Sequence, residues 1–202
     1  MYTLSKETWT TRTMVKVTVL GVISFILMFF EFPLLFLAPP FIKMDISDLP
    51  ALIGAFAMGP MVGVIVQFLK NLLNVVIEGS TTGGVGEFAN FVVGSAFAYT
   101  AGLVYYKKKT FGRAVAGLVL GVIVMTIVIS FANYFVMFPF YAKIFGWPIE
   151  NLVEMGTAIN KNIVDMKTMI IYAIVPFNLL KGTLVTLVTI LVYKRVSHLL
   201  HD

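Results

Sequence analysis

Lys181 follows Asn178 by three residues inside an apolar run at about 168–193, so on a helix the two side chains share a face. Asn133 interrupts a second apolar run, at about 114–141. Two amides and an ammonium together supply the donors and acceptors that grip a polar, neutral heterocycle carrying carbonyls and ring N–H groups. The bland reading is hydrogen-bonded glue between helices, a common use of such residues. Charges inside a bilayer are expensive and therefore point to function; Lys70, Lys181 and Glu31 fall within apolar runs, away from the basic clusters that flank them. Lys70, Asn71 and Asn74 form a second polar face, and Glu31, just before Pro33, reads as an interfacial carboxylate. Asp45, Ser47 and Asp48 precede Pro50, the pattern of a helix start with Asp48 as N-cap. The same loop is also placed to reach over a ligand.

Much other chemistry is excluded. The chain has no cysteine, so disulfides, thiolate metal sites and Cys nucleophiles are absent. Its two histidines, His198 and His201, lie in the C-terminal tail. No Walker A sequence occurs, so the chain does not itself hydrolyse nucleotide. Gly84-x-Gly86-x-x-Ala89 imitates a dinucleotide fingerprint but follows no strand, and its glycines are better read as a turn before a helix. An intramembrane enzyme would need an acid cluster or metal site, and Glu31 alone is available in the spans. A purely structural scaffold would leave Lys70, Lys181 and the intramembrane asparagines unexplained. The arginines, Arg12, Arg113 and Arg195, flank apolar runs, which argues against a phosphate-bearing external ligand and for a neutral one.

The elements that position these residues are membrane helices. Of 202 residues, 59% are apolar and 12% charged, with a mean hydropathy of +0.94, far from soluble composition. Apolar runs fall at about 14–37, 49–77, 88–106, 114–141 and 168–193. The first is too long for a signal sequence and is expected to remain as a span. Gly59-Pro60 should break 49–77 into helices of about 10–12 and 17 residues. Charge agrees. Basic residues favour the cytoplasmic side, and they cluster at Lys6–Lys16, Lys107–Arg113 and Lys194-Arg195. An even number of crossings must separate these clusters, which requires six transmembrane helices with cytoplasmic termini. The opposite loops, 38–48, 78–87 and 142–167, carry seven acids against four lysines. The net charge of +5 thus records topology and needs no nucleic acid. The expectation is an all-α, single-domain membrane protein over 1–202, with a site opening outward beneath loops 38–48 and 142–167.

Small residues recur at helical spacing: Gly94, Ala98 and Gly102; Gly117 and Gly121; and Thr18, Gly21 and Ser24. Such stripes permit close helix packing inside a protein, or docking of another membrane subunit if they face outward.

At several of these residues the chain resembles the riboflavin-specific S component of energy-coupling factor (ECF) vitamin transporters. The resemblance is carried by residues 43–51 (KMDISDLPA), Met58-Gly59-Pro60 to Val66, and Lys70-Asn71-Leu72-Leu73-Asn74. It continues in Phe88-Ala89-Asn90-Phe91, Asn133-Tyr134-Phe135-Val136 and residues 176–182 (PFNLLKG), in order and over nearly the whole chain. It implies a six-helix S-component bundle in the bacterial cell membrane that is not an enzyme and holds no cofactor. Such a subunit captures riboflavin outside the cell as its transported ligand. The resemblance also implies that it is energised by a membrane-embedded T subunit and two cytoplasmic ATPases. Asn133, Asn178 and Lys181 would contact the flavin, with Met44 and Asp45 completing the pocket. The Ala-x-x-x-Ala docking motif of such proteins is not intact in the first helix, where Thr18, Gly21 and Ser24 stand as candidates instead. A different vitamin, such as thiamine, in the same fold is the alternative.

Overall fold

The computed structural model describes residues 10–146 and 148–196, with side chains as far as Tyr193. Lys6, His198 and His201, and the side chains of Lys194 and Arg195, lie outside this description. Helix α1 (Thr11–Met28) starts where the Thr10 hydroxyl accepts from the backbone N–H of Thr13 at 3.2 Å. It stops well short of Leu37, the expected end of the first span. Pro33 lacks an N–H and its ring would meet the carbonyl one turn back, while Phe32 before it is biased to extended backbone. Phe32–Pro33 (β1) instead pairs antiparallel with Lys43–Met44 (β2), Phe32 opposite Met44. Leu34 and Leu37 pack around Ala38, Met44 and Phe177, while Leu35 and Phe36 between them stay exposed.

Helix α2 (Leu49–Met58) and helix α3 (Pro60–Ile77) are separated at Gly59, as the Gly-Pro pair led one to expect. Gly59 has φ +117°, a conformation that a side chain would strain. Pro60 then opens α3, where its missing donor costs nothing. Helix α4 (Val85–Tyr106) begins after the left-handed pair Gly83 and Gly84; of the two glycines of the false fingerprint, Gly84 makes the turn and Gly86 already lies in the helix. Helix α5 (Phe111–Ala132) runs through a π-helical stretch (Asn133–Met137) into α6 (Phe138–Phe145). Helix α7 (Ile149–Thr157) occupies the loop expected to form a cover. Helix α8 (Met166–Met169) is capped by Asp165 and passes through a second π-helical stretch (Ile170–Ile174) into α9 (Val175–Val196).

Five of these rods are long and apolar enough to cross a membrane: Thr11–Met28, Pro60–Ile77, Val85–Tyr106, Phe111–Phe145 and Met166–Tyr193. Helix α2 has only 10 residues, about 15 Å of rise against a hydrocarbon core of about 30 Å. It lies inside the bundle, with Ala51, Leu52, Ala55 and Phe56 all buried. The outer surface keeps Phe30, Phe131, Val76 and Leu191 exposed, as a lipid-facing belt requires. The glycine stripes turn inward. A Cβ on Gly63 would meet those of Ala55 and Ala98 at 2.9 Å, and one on Gly121 would meet the Phe97 ring at 2.6 Å. Those contacts set α3 on α4 and α4 on α5.

Candidate ligand-binding cavity

A cavity of about 530 Å³ opens at the end of the bundle that carries the acidic loops, within the range of small-molecule sites. Its walls come from many elements: Phe41 from the β1–β2 connection, Lys43 from β2, Asn74 from α3, Asn90 from α4, and Leu152 and Met155 from α7. Asn133, Asn178 and Lys181 line it as well, although α5 and α9 are distant in sequence. Phe41 and Tyr141 face each other there with ring centroids 5.5 Å apart, and Phe177 adds a third aromatic wall.

The asparagines are fixed by the backbone. The Asn133 amide nitrogen donates to the Ile129 carbonyl at 2.9 Å, and that of Asn178 to Ile174 at 2.8 Å, each one turn back. A carbonyl only accepts, so the nitrogen of each amide is held against the helix and the amide oxygen is left for another donor. Asn133 opens one π-helical stretch and Asn178 follows the other by one turn. Such π turns recur at functional sites because they re-aim side chains within a helix.

Beneath the cavity lies a buried quartet of two lysines and two aspartates. Lys181 Nζ donates to Asp45 Oδ2 at 2.8 Å and stands 3.8 Å from Asp48 Oδ2. Lys70, 0% exposed, donates to Asp48 Oδ1 at 3.0 Å, Ser47 Oγ at 2.9 Å and Asn90 Oδ1 at 3.0 Å. Gln67 donates to Asp48 at 2.8 Å, and Asp45 accepts from the backbone N–H of Ser47 at 2.7 Å and from its hydroxyl. Burial alone pushes both carboxyls up. For Asp45 the ammonium of Lys181, then that of Lys70, outweighs burial and holds it below the usual carboxylate range. Asp48 is held far below that range by Lys70 and then Lys181. Charge is balanced within the quartet, which is the condition for burying it at all.

Residues 12–193 match the family described as the ECF transporter, substrate-specific component. The chain belongs to that family. The riboflavin transporter RibU of Staphylococcus aureus is 39% identical over 189 residues, covering 94% of this chain and 92% of that protein. The riboflavin transporter FmnP of Bacillus subtilis is 33% identical over 187 residues, covering 92% of each. A solved structure, reported as "Structure and mechanism of the S component of a bacterial ECF transporter", superposes with a TM-score of 0.74 at 36% identity. It covers 95% of this chain and 98% of its own. This S component is thus part of a transporter and not an enzyme, in keeping with relatives that are named transporters.

Within this S component, Asn133, Asn178 and Lys181 come together on the cavity wall. Met44 and Asp45 are buried behind that wall, Met44 against Phe177 and Asp45 on Lys181. Asp48 holds the N-cap position of α2, but its side chain makes no cap hydrogen bond because Lys70 and Gln67 engage it. Gly21 and Ser24 face inward, with a Cβ on Gly21 meeting Leu69 at 3.0 Å, while Thr18 is exposed. Glu31 pairs with Lys43 across the β1–β2 ladder and lines the cavity mouth. Asn90, Glu78 and Glu87, which are not among the candidate site residues above, also line the cavity. Asn90 carried the same signal as Asn133, an amide inside an apolar run.

Proposed function

We propose that this S component captures riboflavin outside the cell and delivers it inward together with a membrane-embedded T subunit and two cytoplasmic ATPases. The observation that carries the reading is one cavity of about 530 Å³ with aromatic walls and fixed amides, in a chain 39% identical to a riboflavin transporter. Riboflavin is neutral, with a flat ring bearing two carbonyls and one N–H, and a chain of hydroxyls. Phe41, Tyr141 and Phe177 offer stacking surface, and the amide oxygens of Asn133 and Asn178 accept from ring N–H or hydroxyl groups. Lys181 has three donors and gives one to Asp45, so it serves the ligand without releasing its partner. Met44 and Asp45 shape the wall from behind.

In this reading the chain is one transmembrane substrate-binding unit in a bacterial cell membrane. It crosses six times, α2 counting as the short crossing, with both termini in the cytoplasm as the basic clusters require. The T subunit meets the outward face of α1, where Thr18 lies among exposed Val15, Val19 and Val22. Thiamine is not favoured, since the relatives named above carry riboflavin in their names.

The test is titration of the detergent-purified protein against riboflavin fluorescence. Saturable quenching that excess thiamine does not relieve is expected. A folded, ligand-free protein that leaves the fluorescence unchanged at micromolar riboflavin refutes the proposal.

A further inference from the structure

Four asparagines line the cavity, and three are held the same way round. Asn133 and Asn178 donate to helix carbonyls, and Asn74 donates to Glu78 Oε2 at 2.7 Å, so each has one of its two N–H groups engaged and its amide oxygen turned away as an acceptor. Asn90 is held in reverse. Its Oδ1 accepts from Lys70 Nζ at 3.0 Å. Lysine has donors only, so the amide NH2 cannot take that place, and the buried ammonium admits no flip. Lys70 has no freedom to turn elsewhere, because its three donors are taken by Ser47, Asp48 and Asn90. Among the described residues no protein acceptor takes the Asn90 amide N–H groups.

From this we infer that Asn90 is the amide donor of the ligand site, and that Lys70 is the positioning residue that holds it in that orientation. The assignment rests on the riboflavin reading and deepens it. Asn133 and Asn178 accept from the ligand's N–H or hydroxyl groups, and Asn90 donates to a flavin carbonyl or ring nitrogen. Lys70 touches no ligand and acts through Asn90. The cavity thereby discriminates by hydrogen-bond polarity, selecting a ligand that offers both donors and acceptors. A site committed in this way leaves a buried polar group unpaired when the ligand lacks the complement.

Asn90→Asp separates the two roles. Aspartate keeps an oxygen for Lys70 but replaces the NH2 by a second acceptor. The experiment is a riboflavin quenching titration of the full chain, wild type and N90D, with thermal unfolding as the check on folding. Wild-type binding with N90D weakened about 10- to 100-fold is expected, from the loss of a buried donor and its replacement by an unpaired acceptor. N90D within twofold of wild type would show that Asn90 only holds Lys70, and would overturn the assignment. Should N90D not fold, Asn90→Leu, close in volume and without donor or acceptor, is read by the same criterion. Wild-type protein that ignores riboflavin fails earlier in the same titration; that outcome overturns the ligand reading and this assignment with it. Lys70→Met adds an independent check: it frees the amide to flip, so N90D should cost less affinity in that background than in wild type.

Discussion

Replacing Lys181 by methionine should strand one carboxylate and not two. Asp45 has Lys181 as its ion-pair partner at 2.8 Å, and afterwards keeps as hydrogen-bond donors only the N–H and hydroxyl of Ser47, with Lys70 a more distant cation. Asp48, 3.8 Å from Lys181, retains Lys70 at 3.0 Å and Gln67 at 2.8 Å. With an effective dielectric of about 20, Coulomb's law gives roughly 6 kcal/mol for a pair at the first distance and roughly 4 kcal/mol at the second. Desolvation of the ammonium offsets part of this, so the expected net loss is about 3–5 kcal/mol of stability, the usual penalty for one orphaned partner. That corresponds to a fall of about 6–20 °C in Tm for a chain of this size. Asp45→Asn in the same chain removes the orphaned charge and should recover at least half of the loss. Thermal unfolding of wild type, K181M, D45N and the double variant in one detergent measures all four corners of the cycle. A K181M protein within about 1 kcal/mol of wild type refutes the argument, and so does a double variant no better than K181M.

Acid should destabilise the protein late. Asp45 and Asp48 have folded values below the ordinary carboxylate range, so their contribution is full above an unfolded value of about 3.9 and disappears as pH falls through the folded values. For this quartet, melts should be flat between about pH 5 and 8 and decline only below about pH 4; a quartet-dependent fall above pH 5, absent from the D45N and K181M double variant, would contradict it. Gly94→Ala puts a Cβ 2.5 Å from Gln67 Cδ and displaces the donor to Asp48, with a loss of about 1–3 kcal/mol in stability that unfolding measurements will report. Flavin mononucleotide should bind at least about 10-fold more weakly than riboflavin, because among the described residues the cavity lining holds Glu31, Glu78 and Glu87, no arginine, and two lysines, Lys43 and Lys181, that are already ion-paired. Competition against bound riboflavin decides that one.

The sequence made the membrane class and the Gly59-Pro60 break readable, since each rests on a local physical rule. Hydropathy depends on the residue itself, and a Gly-Pro pair constrains only its neighbours. The asparagines and Lys181 were likewise readable as anomalies, polar groups where apolar ones are cheaper. What they bond to was not. Asp45 is 136 residues from Lys181, and no helical period links a loop to the last helix. The capping pattern at Asp48 correctly located the start of α2, but tertiary ion pairing took the side chain that the cap would have used. Spacing also fails to say whether a small-residue stripe points outward, and Gly21 and Ser24 point into the bundle. Hydropathy overextended the first span because it does not register the break at Pro33; beyond it Leu34 and Leu37 pack on Met44 and Phe177 while Leu35 and Phe36 stay exposed.

The quartet has a use that its stability alone does not explain. Two buried ion pairs are often no more stabilising than apolar residues of the same volume. Apolar packing, however, would not set the hydrogen-bond polarity of the cavity. Asp45, Ser47 and Asp48 come from one short loop and meet Lys70 from α3 and Lys181 from α9, so that loop is fixed relative to both helices. Through Lys70 the same network reaches Asn90 on α4, and through Lys181 it reaches the cavity wall itself. A leucine at position 70 could fill the space but would leave the Asn90 amide free to turn either way. Bound charge is therefore best understood here as the means by which a loop, three helices and one amide orientation are specified together.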